Sequence, residues 1–235
     1  RDNTMSALAD KMPILSISQD ELRRWGQLWL GDTNPETGKT KAPNSFDRQQ
    51  SVNFASFIDM AFAHALAAAL GNIPVVKPSG YSLLPAQEDC VEVGAVRVIG
   101  GVRPQNYDVA YRPDGPRVVF DSKTLNEEKS IGKNWQNMIN DLATEATTIH
   151  TRFPYAIVAF VVVVPRPALG AKQEFDMIRT LERLGARKDV LDQAHLAEAI
   201  SFIVWEPETG EVNQDIPNTG RDSLRGRVWP AWLPL

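Results

Sequence analysis

The chain is 235 residues long with a net charge of −4; 43% of its residues are hydrophobic and 23% charged. That is the length and composition of one globular domain, 1–235, which excludes disorder as the whole account and needs no disulfide or structural metal to complete a core. The acidic balance excludes a protein that coats nucleic acid nonspecifically, but not an enzyme that gathers its basic residues on one face.

Apolar positions Ile14, Ile17, Leu22, Trp25, Leu28 and Trp29 predict a helix over 14–30, with Ser18 and Glu21 spaced as a capping box. Residues 31–46 are polar and rich in turn formers, and read as a loop. Gly38-Lys39-Thr40 resembles the end of a phosphate-binding loop, but Thr33 stands where that pattern needs glycine, and no strand precedes it. Phe54, Phe57, Ile58, Ala61, Phe62, Ala65, Leu66 and Ala69 predict a helix over 54–70, stopped by Gly71.

The period then changes from helical to two-residue. Val91, Val93 and Val98 mark a strand closed by Gly100-Gly101, Tyr107–Tyr111 a second, and Arg117–Lys123 a third, with Pro113-Asp114-Gly115 as the turn between the last two. A long helix is expected over 130–153, with Ile131, Trp135, Met138, Leu142, Ala146 and Ile149 down one face and Pro154 ending it. The longest purely apolar run, Ala156–Val164, is nine residues: a strand buried on both faces, far short of the ~20 a membrane helix needs. Helices over 174–184 and 190–200 and a last strand over 202–205 complete the pattern. The tail from Arg221 mixes three arginines with Trp229, Trp232 and several leucines. Hairpins followed by a crossover imply an α/β fold, a mixed central sheet flanked by helices. No charged-then-apolar signal segment opens the chain, and Cys90 is the single cysteine, so the expectation is a cytoplasmic protein without disulfides, multi-cysteine zinc or membrane attachment.

Asp108 lies on the second of these strands, and Asp121 and Lys123 on the third. Residues two apart share a strand face. If the turn is centred between Asp114 and Gly115, paired positions sum to 229 and Asp108 stands opposite Asp121; the flanking Pro113 and Pro116 leave a one-residue slip open, which would move Asp108 to the other face. Opposed carboxylates about 5 Å apart repel by ~3 kcal/mol at an effective dielectric of 20. Lys123 offsets part of this, and a divalent cation would offset more; oxygen ligands on a rigid hairpin suit Mg²⁺, which makes bound water a better nucleophile and polarises a phosphoryl oxygen. Lys123 would hold or deprotonate that water, or neutralise charge building on phosphorus. Taken alone, Asp121 and Lys123 describe equally a surface ion pair.

Asp108 on one strand and Asp121-Ser122-Lys123 on the next, followed by a long helix, resemble the PD-(D/E)XK nuclease superfamily and its αβββαβ core, here spanning about 54–164. The resemblance implies catalysis by Asp108, Asp121 and Lys123, and Mg²⁺ held by Asp108, Asp121 and Ser122. Tyr107, not proline, precedes Asp108. A fourth acidic ligand is open between Glu92, Asp59 and none. Gln136 is followed at the Gln-x-x-x-Tyr spacing by Asn140, which disfavours the exonuclease-like branch. A compact chain without an ATPase part resembles most a type II restriction endonuclease, which implies a homodimer cutting double-stranded DNA.

Lys129, Lys133, Asn134, Gln136, Asn137 and Asn140 form a polar face on the long helix, either a solvated face or a DNA contact in which Asn and Gln read bases and Lys holds phosphate. Arg221, Arg225 and Arg227 are phosphate contacts or surface charge; Trp229 and Trp232 pack on the core or a dimer partner. His64, His150 and His195 are scattered and read as helix-surface residues. A repair, recombination or transposition nuclease, or a non-catalytic DNA-binding or interaction module on the same fold, are the alternatives.

Overall fold

The computed structural model describes residues 17–80 and 82–217. Among the described residues, four α-helices, α1 (Gln19–Leu30), α2 (Arg48–Ala69), α3 (Ile131–His150) and α4 (Ala171–Leu184), accompany six strands: β1 (Val75–Val76), β2 (Val91–Ile99), β3 (Pro104–Tyr111), β4 (Val118–Thr124), β5 (Ile157–Pro165) and β6 (Ala199–Trp205). The strands form one mixed sheet in chain order. β2, β3 and β4 are an antiparallel meander, whereas β1 joins β2, β5 joins β4 and β6 joins β5 in parallel.

Each element has a local cause. Ser18 caps α1 by accepting from the Glu21 N–H, so the helix opens at Gln19 rather than 14; positions 14–16 lie outside the described residues. α2 begins six residues before Phe54 because Asp47 and Gln50 form a reciprocal capping box, Asp47-x-x-Gln50, ahead of the apolar run. It ends at Ala69, just before Gly71, whose φ of +94° favours glycine. α2 is also, among the described helices, the one long and apolar enough to cross a membrane. Its Phe54, Ile58, Phe62 and Leu66 are nonetheless buried in the core.

β4 sets the layers. Phe120 stacks on Phe62 of α2, ring centroids 3.7 Å apart, while Lys123 reaches Glu145 of α3. Alternation along β4 therefore places the sheet between α2 and α3. Burying each of these rings contributes about 1.5–3 kcal/mol. β5, buried along almost its whole length, is an interior strand between β4 and β6, as its Val-rich run implies. A bulge interrupts the β2–β3 register between Val93 and Val96, with Gly94 at φ +124°.

The helix expected over 190–200 does not form. Residues 189–198 are turns, and β6 starts at Ala199. The Asp192 carboxylate accepts the N–H groups of Lys188 and Asp189, and the Asp189 carboxylate that of Leu191, so short side chains take the donors a helix would use. His150 is not on the surface: it is buried at the end of α3, with Nδ1 2.9 Å from the Ala194 carbonyl and Nε2 3.2 Å from Glu198. His195 is exposed in the turns, not on a helix, and His64 is exposed on α2.

Candidate functional site

β3 and β4 keep the register in which paired positions sum to 229 at Val109–Phe120, Ala110–Val119 and Tyr111–Val118. Beyond Val109 the ladder stops, and the next pair of residues replaces it with side chains. The Asp108 N–H donates to Asp121 Oδ1 at 2.7 Å, and the Ser122 N–H donates to Asp108 Oδ2 at 3.0 Å. Two carboxylates thus fill the seam where the strands part, each anchored by a backbone donor from the opposite strand.

Other groups converge on the seam. Lys123 Nζ lies 3.5 Å from Asp121 Oδ2 and 2.9 Å from Glu145 Oε1. Asp59 of α2 comes from the other face, close enough to Asp108 for the Asp108 charge to raise the Asp59 carboxyl. Four carboxylates therefore share one ammonium in a region of low exposure. Burial, then the charge of Asp108, raises the Asp59 carboxyl to about 8. Burial also raises Asp108 and lifts Asp121 well above the ordinary carboxylate range, with Asp108 and Glu145 adding like-charge repulsion at Asp121. Burial pulls the Lys123 ammonium down, but Asp121 and Glu145 more than offset it, so Lys123 holds its proton more tightly than a free lysine.

Glu145 is the functional candidate that sequence reasoning missed. It lies three residues after Leu142 and four before Ile149, on the apolar face of α3, where a carboxylate is out of pattern. That misfit was the available signal. Tyr107, buried beneath the seam, donates to the Glu145 backbone carbonyl at 2.9 Å and ties α3 to β3.

Of the residues considered for a fourth acidic position, Asp59 is at the cluster and Glu92 is not. Glu92 is fully buried and bonded twice to Arg112, at 2.5 and 3.0 Å, so its charge is already neutralised. Lys129, Lys133, Asn134, Gln136, Asn137 and Asn140 are all exposed along the first half of α3 and the residues before it. Arg221, Arg225, Arg227, Trp229 and Trp232 lie outside the described residues.

The donor set suits a hard divalent cation: every available ligand is oxygen, negative charge is in excess, and Asp59 Oδ1 and Glu145 Oε2 are buried without a hydrogen-bond partner. Among the described residues, however, no three His, Cys, Asp or Glu side chains converge as a ready-made metal group. One oxygen each of Asp108 and Asp121 is occupied by a backbone N–H. No family model, curated protein or solved structure matches the chain.

Proposed function

We propose that the chain is an Mg²⁺-dependent endodeoxyribonuclease that hydrolyses phosphodiester bonds in double-stranded DNA, on a core of the PD-(D/E)XK kind, and that it acts as a type II restriction endonuclease. The observation that carries this reading is the gathering of Asp108, Asp121 and Lys123 at the parting of β3 and β4, within the element order α2–β2–β3–β4–α3–β5. Asp108 and Asp121, with Ser122 beside them, would hold the metal, and Asp59 is the fourth acidic candidate. Mg²⁺ bound there supplies phosphoryl polarisation and a more acidic water.

The chain's own residues divide the remaining work. Lys123, protonated under the charges of Asp121 and Glu145, donates N–H groups that orient the attacking water and neutralises charge building on phosphorus. The tightened proton argues against Lys123 as the base in this state. Lys129 and Lys133 near the start of α3 contact phosphate, and Gln136, Asn137 and Asn140 face the grooves. A homodimer would match a palindromic site and cut both strands; a monomer by light scattering, both free and on cognate duplex, would overturn that part.

A non-catalytic DNA-binding module is favoured by one observation: the Asp108 and Asp121 carboxylates already complete the β3–β4 seam as structural acceptors. Supercoiled plasmid incubated with Mg²⁺, and with EDTA as control, separates the readings. Discrete bands support restriction. Smears or structure-selective nicks point to a repair, recombination or transposition nuclease. DNA binding without cleavage, in a protein whose Asp121→Ala variant behaves identically, assigns the module.

A further inference from the structure

A second site lies away from the carboxylate cluster and shares no residue with it. It is a cleft of about 410 Å³ between the 83–85 loop, the end of β2, the β3–β4 turn and the end of α3. That volume lies in the range of small-molecule pockets.

Its wall is built at a cost. Arg112, 3% exposed, is paired to the fully buried Glu92 and also donates to the carbonyls of Ser82, Leu83 and Leu84. Burying an ion pair gains little stability by itself. Here it fixes a loop whose side chains, Leu83 and Leu84, are 53% and 73% exposed. Two exposed leucines whose backbone carbonyls Arg112 anchors line an apolar surface with Val98, Ile99 and Phe153.

The charges over that surface are unbalanced. Arg112 is neutralised by Glu92, and Asp114 by Arg117. Arg97 and Arg152 also line the cleft, and among the described residues neither has a carboxylate partner. Arg97 reaches only the amide oxygen of Asn106, and Arg152 the Ile99 carbonyl and the face of Phe153. The complement of an apolar floor under two unpaired guanidiniums is a molecule with an apolar body and one anionic group.

We propose that this cleft binds a small organic anion with an apolar body, such as an aryl sulfonate or a medium-chain carboxylate, with Arg97 and Arg152 on the anionic group and Leu83, Leu84 and Phe153 on the body. The site is independent of the nuclease reading.

The probe is 8-anilinonaphthalene-1-sulfonate, titrated into the folded full chain and followed by its fluorescence. One saturable site is expected, displaced by decanoate but not by decanol or decyltrimethylammonium. The double variant Arg97→Gln/Arg152→Gln should weaken the probe roughly tenfold or more, and Leu84→Ser, at an exposed position that leaves the core intact, several-fold. Circular dichroism and the thermal midpoint of each variant check that the fold is kept. Equal binding by wild type and the folded double variant, or displacement by decanol as effective as by decanoate, overturns the proposal.

Discussion

Lys123 of β4 stands closer to Glu145 of α3, at 2.9 Å, than to Asp121 on its own strand, at 3.5 Å. The lysine is therefore held between sheet and helix, and Glu145 helps set both its position and its charge. Glu145→Gln keeps an acceptor for Nζ and removes the negative charge, so the Lys123 pKa should fall toward its ordinary value. On the proposed reading, the Mg²⁺-dependent nicking rate of supercoiled plasmid should drop roughly ten- to hundredfold, equivalent to about 1.4–2.7 kcal/mol in the barrier. A rate equal to wild type would remove Glu145 from the site.

Asp121→Asn should separate stability from activity. The amide oxygen can still accept the Asp108 N–H, while one of several crowded negative charges is lost. The variant should unfold at higher urea concentration, with a gain of about 1–3 kcal/mol, and should not cleave. Asp121→Ala removes the acceptor as well and leaves a buried N–H unsatisfied, so its gain should be smaller or reversed. If Asp121→Asn is less stable than wild type, the charges at the seam are better compensated than their positions imply.

The order of the elements around the seam was legible because each carried a strong local signal: the apolar stripe of α2, the two-residue alternation of β2 to β4, the valine run of β5. The register was legible from the turn at Asp114-Gly115 as far as Val109–Phe120, but the ladder stops there, and side-chain hydrogen bonds replace the expected Asp108–Asp121 pairing. What was not legible depends on tertiary partners. Asp47 and Gln50 cap α2, but polar residues before the stripe read as loop. Residues 190–200 read as a helix, yet Asp189 and Asp192 capture the N–H groups and turn the chain. Glu92 and Asp59 were equivalent as sequence; only the fold shows that Arg112 claims one and Asp108 neighbours the other.

Stability should fall as pH rises through the neutral range. Asp59 is pushed up to about 8, and Asp108 and Asp121 are raised, relative to an unfolded value near 4. A folded pKa above the unfolded one means that the native state binds the extra proton. The stabilisation is complete below about pH 4 and is lost as pH climbs through the folded value. For Asp59 alone the slope approaches about 1.4 kcal/mol per pH unit between about 4 and 8. Urea unfolding at pH 5, 6.5 and 8 should show the decline, and Asp59→Asn should flatten it. Added Mg²⁺ should restore stability at pH 8 if the cluster binds it. A wild-type profile flat between pH 5 and 8 would mean that the cluster is ionised in both states.

An acidic chain that holds DNA must do so through a local face, and α3 with the residues before it offers one. Lys129 and Lys133 are exposed near its N-terminus, and no acidic residue occupies the first turn. Backbone N–H groups at that end also favour phosphate. Each lysine–phosphate contact releases counterions and adds about 0.9 to the slope of log affinity against log salt. Lys133→Ala should therefore weaken binding to every duplex alike and flatten the slope by about one. Asn137, one helical turn further on, carries no charge. Asn137→Ala should leave the slope nearly unchanged and, if its amide contacts a base edge, narrow the gap between preferred and random duplexes by about 1–3 kcal/mol. Binding isotherms for both variants between 50 and 200 mM salt, on preferred and random DNA, decide the matter. If both variants match wild type on both duplexes, the DNA does not lie against this helix.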